Sequence, residues 1–136
     1  MPLTRKQMIE MAVDQYFIGC NEHNFDQIVN TFSNDCIMWF PSAGFTYDGL
    51  EPLKEHFEDF LSNFPVINFH NFKNIADESE QAITTYFDIH LTAENKPTVK
   101  MKNCNIFRFN EQGKFQEIII YNSGELKDGF QAGNSN

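Results

Sequence analysis

Gln81-Ala82-Ile83-Thr84-Thr85-Tyr86-Phe87-Asp88-Ile89-His90-Leu91-Thr92 is the stretch that decides the fold. Ile83, Thr85, Phe87, Ile89 and Leu91 fall on one side of an extended chain, and Thr84, Tyr86, Asp88 and His90 on the other. A repeat of two belongs to a strand, and this strand is long. Ala76-Asp77-Glu78-Ser79 forms the turn before it, and an earlier strand runs from Ile67 and Phe69 to Ile75. Glu94-Asn95-Lys96-Pro97 turns the chain after it. Two further strands follow over residues 99–109 and 115–123, joined by the hairpin signal Asn110-Glu111-Gln112-Gly113.

Upstream the period is helical. Thr4-Arg5-Lys6-Gln7 has the form of a capping box, and behind it Ile9, Val13, Tyr16, Phe17 and Cys20 form one apolar stripe. Asn24 is a good N-cap for a short second helix that buries Phe25, Ile28, Val29 and Phe32, and Ser33-Asn34-Asp35 reads as a turn. A strand over residues 36–40 stops at Pro41-Ser42-Ala43-Gly44. After Gly49 a third helix starts, with Pro52 in its first turn; it carries Leu53, Phe57, Phe60, Leu61 and Phe64 on one face and ends at Pro65. Helices early and strands late predict an α+β architecture rather than a parallel α/β one.

A length of 136 residues suits a single domain, expected over residues 1–124, with residues 125–136 as a polar tail. Fifteen Phe imply an interior built from rings that pack by edge and offset contacts. Ten Lys and Arg are scattered among nineteen Asp and Glu, for a net charge of −9, which argues against nucleic acid and against anionic membranes as partners. Cys20, Cys36 and Cys104 are far apart, odd in number and set in apolar stretches, so they indicate neither a disulfide framework nor a metal site. Without an apolar run at the N-terminus, the expected location is a reducing cytoplasm.

The order of elements resembles the nuclear transport factor 2-like superfamily, and most closely its SnoaL-like and ketosteroid-isomerase-like members. The residues that carry the resemblance are Asn24-Phe25-Asp26-Gln27-Ile28-Val29, Phe32-Ser33-Asn34-Asp35-Cys36, Tyr47-Asp48-Gly49, His70 with Asn74 four residues on, and Phe107-Arg108-Phe109 followed by Gly113-Lys114. The resemblance as a whole spans roughly residues 9–123. The resemblance implies a cone-shaped, curved antiparallel sheet wrapped around three N-terminal helices, with a ligand pocket for a small, mainly apolar molecule. It also implies a homodimer through the outer sheet face. Some members of the group isomerise, cyclise, dehydrate or open epoxides without a cofactor, and others catalyse nothing, so the fold by itself implies a pocket and not a reaction.

Tyr16 matches the tyrosine of the isomerase pattern, but the base falls on Phe40 and the second acid on Asn105. A phenyl ring cannot accept a proton and an amide is no acid at neutral pH, which excludes that mechanism. His70 lies where SnoaL-like and dehydratase-like branches place a catalytic histidine. Asp88 and His90 share a face of the neighbouring strand expected to look inward, so that Asp88 orients His70 as base or acid. The alternative reading makes His70 a half-exposed strand residue and Asp88 a solvated charge. Tyr16 donates to a ligand carbonyl or is a core ring bonded to the backbone. The dehydratase carboxylate is replaced by Asn21.

Asn103 and Asn105 fall on one side of their strand with Phe107, and bind either a ligand or ordered water, or lie near the sheet edge. Phe40, Tyr86, His90 and Asn122 complete the candidate ligand set, with no metal ligands. Trp39 points away from Phe40 toward a dimer contact or the core, His23 into solvent, and His56 to the surface. Two classes of function remain from the sequence: a cofactor-independent isomerase, cyclase or dehydratase, and a non-catalytic module that binds a ligand or a protein. A carrier of a long pigment or lipid, which needs a tunnel, is a third.

Overall fold

The structure, a computed structural model, describes residues 2–123, so the expected tail lies outside the described residues. The first helix, α1, is three segments in one run: α-helical over Arg5–Ile9, π-helical over Glu10–Phe17, and α-helical again over Ile18–Asn21. Its capping box forms as expected, Thr4 Oγ1 accepting from the Gln7 amide and Gln7 Oε1 from the Thr4 amide. The buried line is Met8, Ala12, Tyr16, Phe17 and Cys20 rather than the expected stripe, with Ile9 and Val13 half-buried. The i→i+5 bonding of the π segment widens the turn and moves the inward positions to spacings of four and five.

Helix α2 (Phe25–Val29) is capped by Asn24 and pinned to α1 by Gln27, whose Nε2 donates to the carbonyls of Asp14 and Gln15. Helix α3 (Leu50–Asn63) starts at Gly49, whose φ of 101° is a conformation that favours glycine. Its inner face is Leu53, His56, Phe57 and Phe60. Among the described residues no helix is long and apolar enough to cross a membrane.

Six strands follow, β1 (Phe32–Phe40), β2 (Phe45–Asp48), β3 (Val66–Asp77), β4 (Ala82–Thr92), β5 (Val99–Phe109) and β6 (Phe115–Asn122). They form one sheet in the order β2-β1-β6-β5-β4-β3. The expectation of an antiparallel sheet needs one correction: β1 runs parallel to β6, and the other four pairings are antiparallel. A second correction concerns Ser33-Asn34-Asp35, which lies inside β1. The register against β6 slips there between Phe32 and Ile37, so polar residues that look like a turn mark a bulge. Further register shifts fall between His70 and Lys73 and between Arg108 and Phe109. Such irregularities bend strands, and the sheet curves around α1 and α3.

The concave face and the helices meet in an aromatic core. Tyr16 stands at its centre with Phe17, Phe32, Phe57, Phe107 and Phe115 around it, every ring edge-on at centroid distances of 5.1 to 6.1 Å. The inward residues of β4 are Ile83, Thr85, Phe87, Ile89 and Leu91, as the alternation predicts.

Candidate functional site

Between the concave face and α1 and α3 lies a cavity of about 20 Å³, the room of roughly one water molecule. Tyr16, Phe40, His56, Phe60, Asn103 and Asn105 are among the side chains lining it, and no Asp, Glu, Lys or Arg is among the described lining residues. The alternation of β5 turns Asn103 and Asn105 inward with Met101 and Phe107, and both are deeply buried, at 6% and 2% exposure. Asn122 faces Asn103 across the β5–β6 pairing, and Thr85 faces Asn105 across β4–β5. Thr85 donates to Asn74 Oδ1 at 2.8 Å. By contrast, Asn103 Oδ1, Asn105 Oδ1 and both polar atoms of the Asn122 side chain have no hydrogen-bond partner among the described residues. Buried amide oxygens normally have a partner, so this cluster points to something beyond packing.

Tyr16 lines the same cavity. Burial pushes its phenol well above the ordinary range, with Cys20 and Cys36 adding to the rise, so it can act only as a neutral hydroxyl. The thiols themselves are inert: burial raises that of Cys20 and takes Cys36 up to about 12. Phe40 is buried with its ring against Phe45 and Tyr47.

His56, expected at the surface, is a buried member of the α3 face at 9% exposure. Its ring lies 4.3 Å from that of Tyr47 and 4.9 Å from that of Phe57. Burial lowers its pKa to about 4, which makes it a neutral imidazole at neutral pH. The signal was present in the sequence, since positions 53, 56, 57 and 60 follow the i, i+3, i+4, i+7 spacing of a buried stripe.

The expected inward orientation of Asp88 and His90 is corrected by the structure. Strand alternation puts the side chains opposite to Ile89 and Phe87 on the outer face, where Tyr86, Asp88 and His90 lie together. His70 pairs with Asp88 in the unbroken register that runs from Val66, and alternation with the buried Ile67 and Phe69 turns it to that same outer face; the bulge, where Asn71 adopts a φ of 58°, follows it. The Asp88 carboxylate takes its hydrogen bonds from Asn71 Nδ2 at 2.8 Å and Lys102 Nζ at 2.6 Å, and these lower its pKa to about 2. His70 Nδ1 lies 3.2 Å from the Asn68 carbonyl, and its ring is 4.7 Å from that of His90. Lys102 also sits 5.7 Å from the centre of the Tyr86 ring.

The residues proposed from the sequence therefore divide. Tyr16, Phe40, Asn103 and Asn105 line the cup, and Asn122 borders it through Asn103. His70, Asp88, Tyr86 and His90 form a separate outer cluster on the other side of the sheet. Asn21 serves the frame, bridging the end of α1 to β3 through both the amide and the carbonyl of Phe69. Among the described residues no group of three or more His, Cys, Asp or Glu is placed to hold a metal ion.

Comparison with known proteins places these observations. The family model of the SnoaL-like domain matches residues 13–118. AusH from Aspergillus nidulans superposes with a TM-score of 0.78 at 14% identity, over 99% of both chains. BvnE pinacolase from Penicillium brevicompactum superposes with a TM-score of 0.75 at 18% identity, over 90% of this chain and 88% of that one. A protein of cystatin-like fold from Methylobium petroleophilum PM1 gives a TM-score of 0.73 at 15% identity, over 92% and 81% of the two chains. At such identities these likenesses concern the fold. No curated protein matches the sequence.

Proposed function

The chain belongs to the SnoaL-like domain family, and from that premise we propose that its cup binds an uncharged, mainly apolar small molecule through the amides of Asn103 and Asn105. The observation that carries this reading is the pair of unpartnered amide oxygens deep in an aromatic cavity. A charged ligand is disfavoured because, among the described residues, no ionised side chain lines the space to offset its desolvation. The open atoms of Asn103 and Asn105 are acceptor oxygens, so a ligand that donates a hydrogen bond, such as one bearing a hydroxyl, suits them. Chemistry in such a cup is cofactor-independent proton transfer, in the class of isomerisation, cyclisation or dehydration. A neighbour described as a pinacolase is consistent with a fold that hosts rearrangements of organic skeletons.

The small volume supports a second reading. A cavity of about 20 Å³ suits a bridging water held by the amides, in a module whose working surface is the outer face of the sheet. There Trp39, Ile119 and Ile106 stand side by side in register, with Tyr86, Cys104 and Tyr121 in the next row. Tyr86 and Tyr121 are 45% and 44% exposed, and this uncovered apolar strip suits a second copy of the chain.

Titration with 2-naphthol, an uncharged bicyclic compound with one hydroxyl donor, separates the readings. Binding in the cup moves the side-chain amide resonances of Asn103 and Asn105. Unchanged resonances up to the solubility limit of 2-naphthol refute the ligand-binding reading and leave the interaction module.

A further inference from the structure

We propose that Asn122 gives the cup a preference for a lactam, an uncharged ring whose N–H lies beside its C=O, paired edge to edge with the Asn122 side-chain amide. The inference rests on the binding reading above and adds to it the chemical class of the ligand and the residue that selects it.

Asn122 is the last residue of β6, and alternation with the buried Ile118 and Ile120 turns its side chain to the concave side of the sheet. It stands opposite Asn103 in register. At the next position the Ser123 amide donates to the Lys102 carbonyl at 2.8 Å, so Asn103 and Asn122 form an antiparallel pair with no backbone bonds between its members. Side chains approach most closely at such pairs, with Cβ atoms about 5 Å apart. Both hydrogen-bonding atoms of the Asn122 side chain, Nδ2 and Oδ1, are buried and lack a partner among the described residues. Asn103 Oδ1 is in the same condition. If packing alone set their direction, an amide N–H and an amide oxygen at this spacing would satisfy each other, because a buried polar atom left unpaired is costly. Two adjacent amides that leave their own bond unmade imply a third group that takes it up.

The chemistry of that group follows from the atoms left open. A primary amide presents an N–H and an oxygen side by side on one edge, and Asn122 has both unpaired. Its complement carries an acceptor and a donor on one edge of its own, as the adenine edge does when an asparagine reads it. A lone carbonyl fills half of that edge and leaves the other half unpaired. A carboxylic acid matches the edge only while protonated. It is ionised at neutral pH, and no charged side chain among the described lining residues offsets the burial of its charge. An open-chain secondary amide is trans and sets its N–H and C=O on opposite sides. In a lactam the ring holds them on the same side, so the C=O accepts from Asn122 Nδ2 while the N–H donates to Asn122 Oδ1. The remainder of a bicyclic lactam is flat and apolar, which suits walls that include Phe40, Phe60 and Phe87. Asn103 Oδ1 and Asn105 Oδ1 are then acceptors for a further donor on the same molecule.

The test sets 2-quinolinone, a bicyclic lactam, against coumarin, the lactone of the same shape in which a ring oxygen replaces the N–H. Both resemble 2-naphthol in size, so all these probes ask the same opening of the cup. Calorimetric titration gives the affinities for the wild type and for Asn122→Leu. The wild type should bind 2-quinolinone about tenfold more tightly than coumarin, whose ring oxygen would oppose Asn122 Oδ1 with no proton between them. In N122L the ratio should fall to about one, since leucine offers neither half of the pairing. A wild type that binds 2-naphthol yet takes 2-quinolinone no more tightly than coumarin overturns the inference and leaves the binding reading intact. So does an N122L variant that keeps the full preference. A wild type that binds none of these probes overturns both. Should N122L not fold, or bind neither bicycle, the side-chain Nδ2 resonances of wild-type Asn122 decide the matter. They must shift more with 2-quinolinone than with coumarin, and equal or absent shifts refute the assignment.

Discussion

Replacing Asn105 with Val should make the protein more stable and a poorer binder at once. Asn105 is 2% exposed, its oxygen lacks a partner among the described residues, and its neighbours are Thr85 across one pairing and Ile120 across the other. An unsatisfied buried polar atom carries a penalty of about 1–3 kcal/mol. Valine removes that penalty, suits a strand better than asparagine, and adds a volume that the adjacent cavity of about 20 Å³ can absorb. Some strain will remain, so the net gain should be about 1–2 kcal/mol. For a domain of this size that corresponds to a melting temperature higher by roughly 4–8 °C. Urea unfolding should show a higher midpoint with an unchanged slope, because the surface exposed on unfolding is the same. Affinity for 2-naphthol, whose hydroxyl can donate to the Asn105 oxygen, should fall about tenfold, the worth of one hydrogen bond. A melting temperature lowered by the substitution would show that the amide is satisfied in the folded protein. The case for a ligand-directed amide would then fail.

Burial of His56 makes stability depend on acidity. Its pKa drops from 6.5 to about 4 on folding, so the unfolded chain binds the proton first and stability is lost as pH falls from about 6.5 towards 4. A shift of about two and a half units corresponds to about 3 kcal/mol. Urea midpoints of the wild type should therefore fall relative to those of His56→Leu on acidification across this window, and parallel curves would contradict the burial. On the outer face, Tyr86→Lys with Tyr121→Lys should turn a dimer into a monomer in sedimentation velocity at micromolar concentration, with little change in melting temperature. A wild type that sediments only as a monomer there removes the dimer proposal.

Much of the fold was legible because strands betray themselves by alternation. The β4 sequence has apolar residues at every second position, and the structure buries those residues. Asn103 and Asn105 were readable for the same reason, since they share a face with Phe107. The π segment of α1 was not legible, because its widened turn depends on tertiary contacts such as the Gln27 amide that bonds the carbonyls of Asp14 and Gln15. The bulge on β3 was missed as well. One extra residue at Asn71 reverses the facing of everything beyond it, so that Asn74 turns inward to Thr85, whereas His70, which precedes it, faces outward by simple alternation with Ile67 and Phe69. Asp88 was misjudged on chemistry. A carboxylate and a histidine in neighbouring strands suggest a catalytic pair, whereas Lys102 in the next strand had equal claim to the carboxylate and holds it. His56 flanks the apolar stripe of its helix within reach of the pocket mouth, and the expectation of a surface position failed because polarity was weighed above that place in the stripe.

The closed cup and the unpartnered amides belong to one energetic arrangement. A space of roughly 150 Å³ accepts a molecule as small as benzene, several times the volume present here. Opening it at about 24 cal/mol per Å³ costs on the order of 3 kcal/mol. Burying about 250 Å² of apolar ligand surface returns roughly 6 kcal/mol. Against the association entropy that margin is thin, so apolar surface alone gives weak and unselective binding. Two amide oxygens that lack partners among the described residues change the balance, because a ligand that donates to them recovers a penalty the closed form already carries. A hydrocarbon of the same shape recovers nothing. Selectivity for an oxygen-bearing molecule over its hydrocarbon analogue thus resides in Asn103 and Asn105, while the aromatic wall sets only how large that molecule can be.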